Sequence, residues 1–147
     1  MVRDIPSTIA GPALGVSHAH LRDLRAAVLT DHLGERQGKM MFYGAAELLE
    51  MEVGFFLARH GLRRGAAFAV AREHARRIHA AVSPRASDAD QFLLIIIDDR
   101  LRDGYSVQIS DASAATMNDA TAVLGINLRR LAGDLTARLQ ELLRSAG

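Results

Sequence analysis

The sequence predicts an α+β protein: a mostly helical first half with one short β hairpin, then a small antiparallel sheet covered by a C-terminal helix. Three observations predict it. Up to about residue 82 the apolar residues recur at helical spacing, punctuated by Gly15, Gly34, Gly38 and Gly61. From Gln91 onward the pattern becomes β-rich around the turn pair Asp103-Gly104. The chain then runs into a leucine stripe at three- and four-residue steps: Leu128, Leu131, Leu135, Leu139 and Leu142. Between the halves, Ser83-Pro84-Arg85-Ala86-Ser87-Asp88 is the clearest linker. The expected division is a first unit over 1–82, a linker over 83–90 and an α+β unit over 91–147.

Each element has its own signal. Val2–Pro12 reads as short and irregular, because Pro6 and Pro12 both limit helix. Gly15-Val16-Ser17 is a tight turn followed by an N-cap, which starts a helix over His18–Leu29. Leu21, Leu24 and Val28 form its apolar stripe. Gly34 and Gly38 bracket a hairpin with a basic tip between Leu33 and Met40-Met41-Phe42. A helix over Gly44–His60 follows, dense in Leu48, Leu49, Val53, Phe56 and Leu57, with Gly61 as its stop. A further helix over Arg64–Ala81 places Ala67, Val70, Ala71, His74 and Ile78 on its inner stripe. Gln91–Asp98 and Tyr105–Ser110 pair as a hairpin, Thr121–Ile126 adds a third strand, and Asn127 caps the last helix, Leu128–Arg144.

The bulk numbers set bounds. With 147 residues, 49% of them hydrophobic, the chain can build one ordinary core, or two very small units sharing one. It has no cysteine, which excludes disulfides and thiolate metal sites. The opening MVRDIPSTIAGP lacks an apolar signal region, and the longest strongly apolar run, Phe92–Ile97, is too short to span a bilayer. The expectation is a soluble, cytoplasmic protein. Net charge is +1, divided as +3 over residues 1–82 (11 Lys+Arg against 8 Asp+Glu) and −2 over 83–147 (7 against 9). A basic front and an acidic back fit a nucleic-acid module joined to a non-binding one.

The strongest constellation is Leu14-Gly15-Val16-Ser17-His18-Ala19-His20-Leu21-Arg22. A helix-turn-helix needs a tight turn and then a capped helix that buries one stripe and offers the other to the major groove. On such a helix His18, Arg22 and Arg25 share a face about 110° from the aliphatic stripe. Arginine is the side chain best suited to guanine O6/N7 or to phosphate. These residues resemble the turn and recognition helix of the MerR-type winged-helix regulators, with their GVS–xxx–LR core. The similarity continues in order through the Gly34–Lys39 turn as the wing, Tyr43 as its closing aromatic, Glu47–Leu62 as the next helix and Arg64–His79 as the fourth. It covers residues 7–80.

The resemblance implies a sequence-specific DNA-binding transcriptional regulator with a basic wing. DNA-contacting residues would be Ser17, His18, His20, Arg22, Arg25, Arg36, Lys39, Arg63 and Arg64. Double-stranded DNA and a second copy of the chain would be the partners, and the site of action the nucleoid. Residues 91–147 would dimerise or bind a protein partner. The departures are Gly11, where alanine is usual, followed by Pro12; a β-rich unit in place of the long dimerising coiled coil; and no metal-sensing cysteine. They point to a variant of the kind carried by phages and mobile elements.

Other residues suggest less. The six histidines, His18, His20, His32, His60, His74 and His79, show no dedicated ligand spacing with a carboxylate partner, so no metal is expected. Asp98 and Asp99, with Asp88 and Asp90 nearby, have no nucleophile–base arrangement or phosphate-cradling loop beside them, so neither catalysis nor a cofactor is expected. The Leu128–Leu142 stripe suits either a seam to a second copy or a cover for the sheet of its own chain. Two other functions fit the same sequence: an assembly protein built on a degenerate helix-turn-helix scaffold, and a small ligand-binding protein or enzyme.

Overall fold

A computed structural model describes residues 1–83, 91–97, 104–110 and 122–147. The fold is α+β. Among the described residues six helices accompany two antiparallel three-stranded sheets. The order is β1 (Ile5–Pro6), α1 (Ser7–Ala13), α2 (His18–Ala26), β2 (Glu35–Gln37), β3 (Met40–Tyr43), α3 (Ala45–Arg59), α4 (Arg64–Glu73), α5 (Ala75–Ala80), β4 (Phe92–Ile97), β5 (Tyr105–Ser110), β6 (Ala122–Asn127) and α6 (Leu128–Ala146). Most of the expected linker lies outside the described residues, as do Asp88, Asp90, Asp98, Asp99, Asp103 and Thr121. None of the described helices is long and apolar enough to cross a membrane.

The first correction is at the start. The segment expected to be irregular forms β1 and α1. Pro6 has φ −69° and sits at the cap, where its missing N–H costs nothing; Pro12 falls in the last turn, where the helix is already ending. Gly11 makes the next turn possible. A Cβ there would stand 2.9 Å from the Val16 carbonyl oxygen, and the Val16 N–H bonds the Gly11 carbonyl at 2.9 Å. Gly15, at φ +70°, supplies the left-handed residue that turns the chain from α1 into α2.

Helix α2 is shorter than the spacing predicts. It ends at Ala26, and Val28 takes φ +61°. The Leu29 N–H bonds the Leu24 carbonyl at 3.0 Å and the Val28 N–H bonds the Arg25 carbonyl at 2.9 Å. This is the paired bonding of a helix closed by a left-handed residue, a place glycine usually fills. Val28 is therefore turned outward, 63% exposed, while Leu21 and Leu24 are buried as expected.

Strands β2 and β3 pair with Gln37 opposite Met40, leaving Gly38-Lys39 as a two-residue turn, and β1 adds to β3 with Ile5 opposite Tyr43. Helix α3 is the buried pillar. Leu48, Leu49, Met51, Val53 and Leu57 are fully enclosed, and Gly54 lets the Phe68 ring approach to 2.6 Å of where a Cβ would be. The single helix expected over Arg64–Ala81 is two, α4 and α5, broken at His74. No glycine or proline marks the break. It carries Ile78 into the core and His79 onto α3, and leaves His74 half-buried rather than inside.

The second sheet has the order β5-β4-β6, with Leu93 opposite both Ile109 and Ile126. Asn127 caps α6 as its side chain accepts the Arg130 N–H at 3.0 Å. Leu128, Ala132, Leu135 and Leu139 of α6 are buried, while Leu131 and Leu142 are only partly covered. The helix packs chiefly on α1 and α3 rather than on the sheet alone. Its core is continuous with theirs and includes Leu93, Ile95 and Ile126.

Candidate functional site

The site is an open groove of about 330 Å³ between α2 and the β2–β3 hairpin, lined by Ser7, His18, Leu21, Arg22, Arg25, Arg36, Lys39, Met41 and Tyr43. The cap and the turn build it. The Ser17 Oγ accepts the His20 N–H at 3.1 Å, fixing the start of α2 so that His18 opens the groove wall. Leu21 and Leu24 hold that helix to the core, and Arg22 and Arg25 follow His18 along the wall. The hairpin adds Arg36 from β2 and Lys39 from the turn. Among the described residues no acidic side chain lines the groove. His18, Arg22, Arg36 and Lys39 are exposed, and none forms an ion pair with a described residue.

Arg25 differs from these. It is half-buried, and its Nη1 donates to the Leu33 carbonyl at 2.6 Å, tying α2 to the base of the hairpin. It also stands near Tyr43. Burial pushes the Tyr43 pKa above the ordinary tyrosine value; the Arg25 charge opposes that shift and Glu47 adds to it.

Five of the nine residues predicted for the site therefore meet in one groove: His18, Arg22, Arg25, Arg36 and Lys39. Ser17 is an exposed cap whose oxygen is already engaged. His20 faces the other way, its ring 5.7 Å from Phe55 of α3. Arg63 and Arg64 are exposed at the cap and first turn of α4 and are not part of the groove wall.

Three glutamates on α3 are buried, which the spacing of apolar residues does not announce. Glu47, Glu50 and Glu52 are each under 5% exposed. Glu47 accepts Nε and Nη2 of Arg3 at 2.8–3.1 Å, the Gly34 N–H at 3.1 Å and the Gly44 N–H at 2.9 Å. Burial acts against its charge. The Arg3 hydrogen bond, the two amides and the Arg3 charge outweigh that and hold its pKa below the ordinary value. Glu50 bridges His32 and His79, whose Nε2 atoms lie 2.6 and 2.7 Å from its two oxygens. A carboxylate can only accept, so both imidazoles donate. These pairings run across 18 and 29 residues, where sequence spacing gives no signal. Nitrogen and oxygen close to this degree leave no gap for an ion, and no group of three or more metal-ligating side chains among the described residues is arranged to hold one. Glu52 takes Nη2 of Arg138 at 2.9 Å, while Nη1 of the same guanidinium donates to the Ala13 carbonyl at 2.6 Å.

No protein-family model matches the chain, and no curated protein matches it in sequence.

Proposed function

We propose that the chain is a sequence-specific, double-stranded-DNA-binding transcriptional regulator of the winged helix-turn-helix kind, similar to the MerR-type regulators. The observation that carries this reading is the groove. Three side chains of α2 and two of the hairpin give it four cations and a histidine, with no acid among them. Helix α2 is nine residues long, and an α-helix with its side chains, about 10–12 Å across, fits a major groove about 12 Å wide. In this reading α1 and α2, joined at Gly15, are the helix-turn-helix, α2 is the recognition helix and the Gly38-Lys39 turn is the wing tip. His18 and Arg22 read base edges, while Arg36 and Lys39 meet the phosphate backbone. Residues 91–147 supply the contact to a second copy, which sets half-site spacing, and the protein acts on the nucleoid in the cytoplasm.

The test is a selection of bound duplexes from random and genomic DNA, followed by titration at several salt concentrations. Wild-type affinity is expected to fall linearly on a log–log plot against salt. The double variant Arg36→Ala/Lys39→Ala should weaken specific and random duplexes alike and flatten that slope by roughly two units, about one per lost contact. Affinity that does not respond to salt refutes the proposal.

A further inference from the structure

Three buried side-chain atoms among the described residues lack a hydrogen-bond partner: Ser7 Oγ, His32 Nδ1 and Glu52 Oε2. Two of them belong to groups already engaged. His32 Nδ1 lies 3.8 Å from Asp31 Oδ1, and Glu52 is held by Arg138 through its other oxygen. Ser7 stands apart. It is 1% exposed, its hydroxyl bonds no described residue, and it belongs to the wall of the cationic groove. Buried polar groups are nearly always satisfied, so an orphan hydroxyl at a binding surface marks a partner that arrives from outside.

The surroundings define that partner. Beside Ser7 on the wall stand Tyr43, with Arg25 near enough to act on its hydroxyl, and Arg22, Arg36 and Lys39. A hydroxyl donor among several cations, with no carboxylate to compete, suits a tetrahedral oxyanion. We propose that the floor of the groove seats one phosphate of the DNA backbone, with the Ser7 hydroxyl donating to a non-bridging oxygen. Rotation of Ser7 about χ1 between staggered positions presents the hydroxyl to the incoming phosphate. This rests on the DNA-binding reading above and adds to it the residue that fixes register on the backbone.

The arrangement predicts opposite signs for folding and binding in one variant. Removing an unsatisfied buried hydroxyl should raise the melting temperature of Ser7→Ala, and losing a hydrogen bond to a charged oxygen should weaken duplex binding about tenfold. The decisive measurement uses the full chain and duplexes that carry a single uncharged methylphosphonate at successive backbone positions. Wild type should lose affinity sharply at one position that Ser7→Ala no longer senses. Equal penalties in the two proteins at every position, or unchanged affinity of Ser7→Ala, overturn the seat while leaving salt-dependent DNA binding intact. Failure of wild type to bind any duplex overturns the DNA reading itself. Inorganic phosphate titrated alone distinguishes the source. A saturable response that Ser7→Ala abolishes, with identical methylphosphonate profiles, assigns the seat to a free oxyanion and overturns the backbone assignment.

Discussion

Helix α2 turns Arg22 outward, and α3 keeps its three glutamates inside. Arg22 and its neighbours on the groove wall have no ionic partner among the described residues, and one end of their helix is forced into a conformation that valine resists. Glu47, Glu50 and Glu52 are enclosed and bonded, and their helix ends on Gly61 at φ +109°, in the same hydrogen-bond pattern that Val28 completes for α2. A buried charge must be paired or it destabilises the fold; an exposed one can be left for a ligand. The same residue class therefore does opposite work on adjacent helices. Buried charge pairing is concentrated in α3, and α2 is left with exposed charge for the DNA contact proposed above.

Five substitutions probe that division, from the largest expected effect to the smallest. Glu47→Ala strands the Gly34 and Gly44 amides and the Arg3 guanidinium, and should cost about 3 kcal/mol in denaturant unfolding. The sign of its pH dependence follows from the lowered pKa. Glu47 stabilises fully above its ordinary value of 4.5, and that contribution disappears as pH falls through the depressed folded value. Acid titration of stability should accordingly be steeper for wild type than for Glu47→Ala. Equal slopes would place the acid sensitivity elsewhere.

Arg138→Met comes next, at about 2 kcal/mol, because it leaves Glu52 enclosed with neither oxygen bonded. The double variant Arg138→Met/Glu52→Leu should recover much of that loss, and no recovery would mean the ion pair is not the source of the cost. Arg22→Ala should do the reverse of both: unfolding within about 0.5 kcal/mol of wild type, and specific DNA binding weaker by about 1–3 kcal/mol with an altered preferred sequence. Normal binding by Arg22→Ala would remove it from the reading face. Arg25→Ala should lose stability as well as affinity, because its guanidinium holds the Leu33 carbonyl.

The smallest effect is Val28→Gly. A left-handed β-branched residue is strained by about 1–2 kcal/mol, part of which glycine offsets through its extra freedom in the unfolded chain. We expect a gain of about 1 kcal/mol, read as a higher denaturant midpoint with unchanged slope. A loss would mean the Val28 side chain makes a contact that outweighs the strain.

Those two helix ends also explain what the sequence could reveal. Gly61 announces its helix end, because glycine is the residue the left-handed position favours. Val28 hides its own: spacing places it on the apolar stripe, and only the chain's path turns it out to solvent. The capped start of α2, the existence of the hairpin, the β4–β5 pairing and the Asn127 cap were legible, since each depends on residues close in sequence; the hairpin's turn is Gly38-Lys39, and Glu35–Gln37, expected in its tip, is strand β2. The break at His74 and the packing of α6 on α1 were not, because contacts from distant segments decide them. The site divides the same way. Helical phase alone groups His18, Arg22 and Arg25, and the hairpin supplies Arg36 and Lys39. Phase already puts His20 about 200° from His18, off that face, but cannot say that it meets Phe55, that Arg25 is tied down, or that Ser7 joins the groove wall.

The grip of Arg138 on the Ala13 carbonyl joins residues 125 positions apart. At about 5–20 residues per second, a ribosome needs roughly 6–25 s to make the stretch between them. Helices α1 to α3 thus emerge well before the helix that backs them. During that interval the apolar faces that α6 will bury stand open, and Glu52 waits without its counter-ion. The order of birth is fixed: the cationic wall comes first and its support last. A nascent chain of this protein is exposed to aggregation at α1 and α3 until α6 docks, which makes the emergence of α6 the step that sets folding yield.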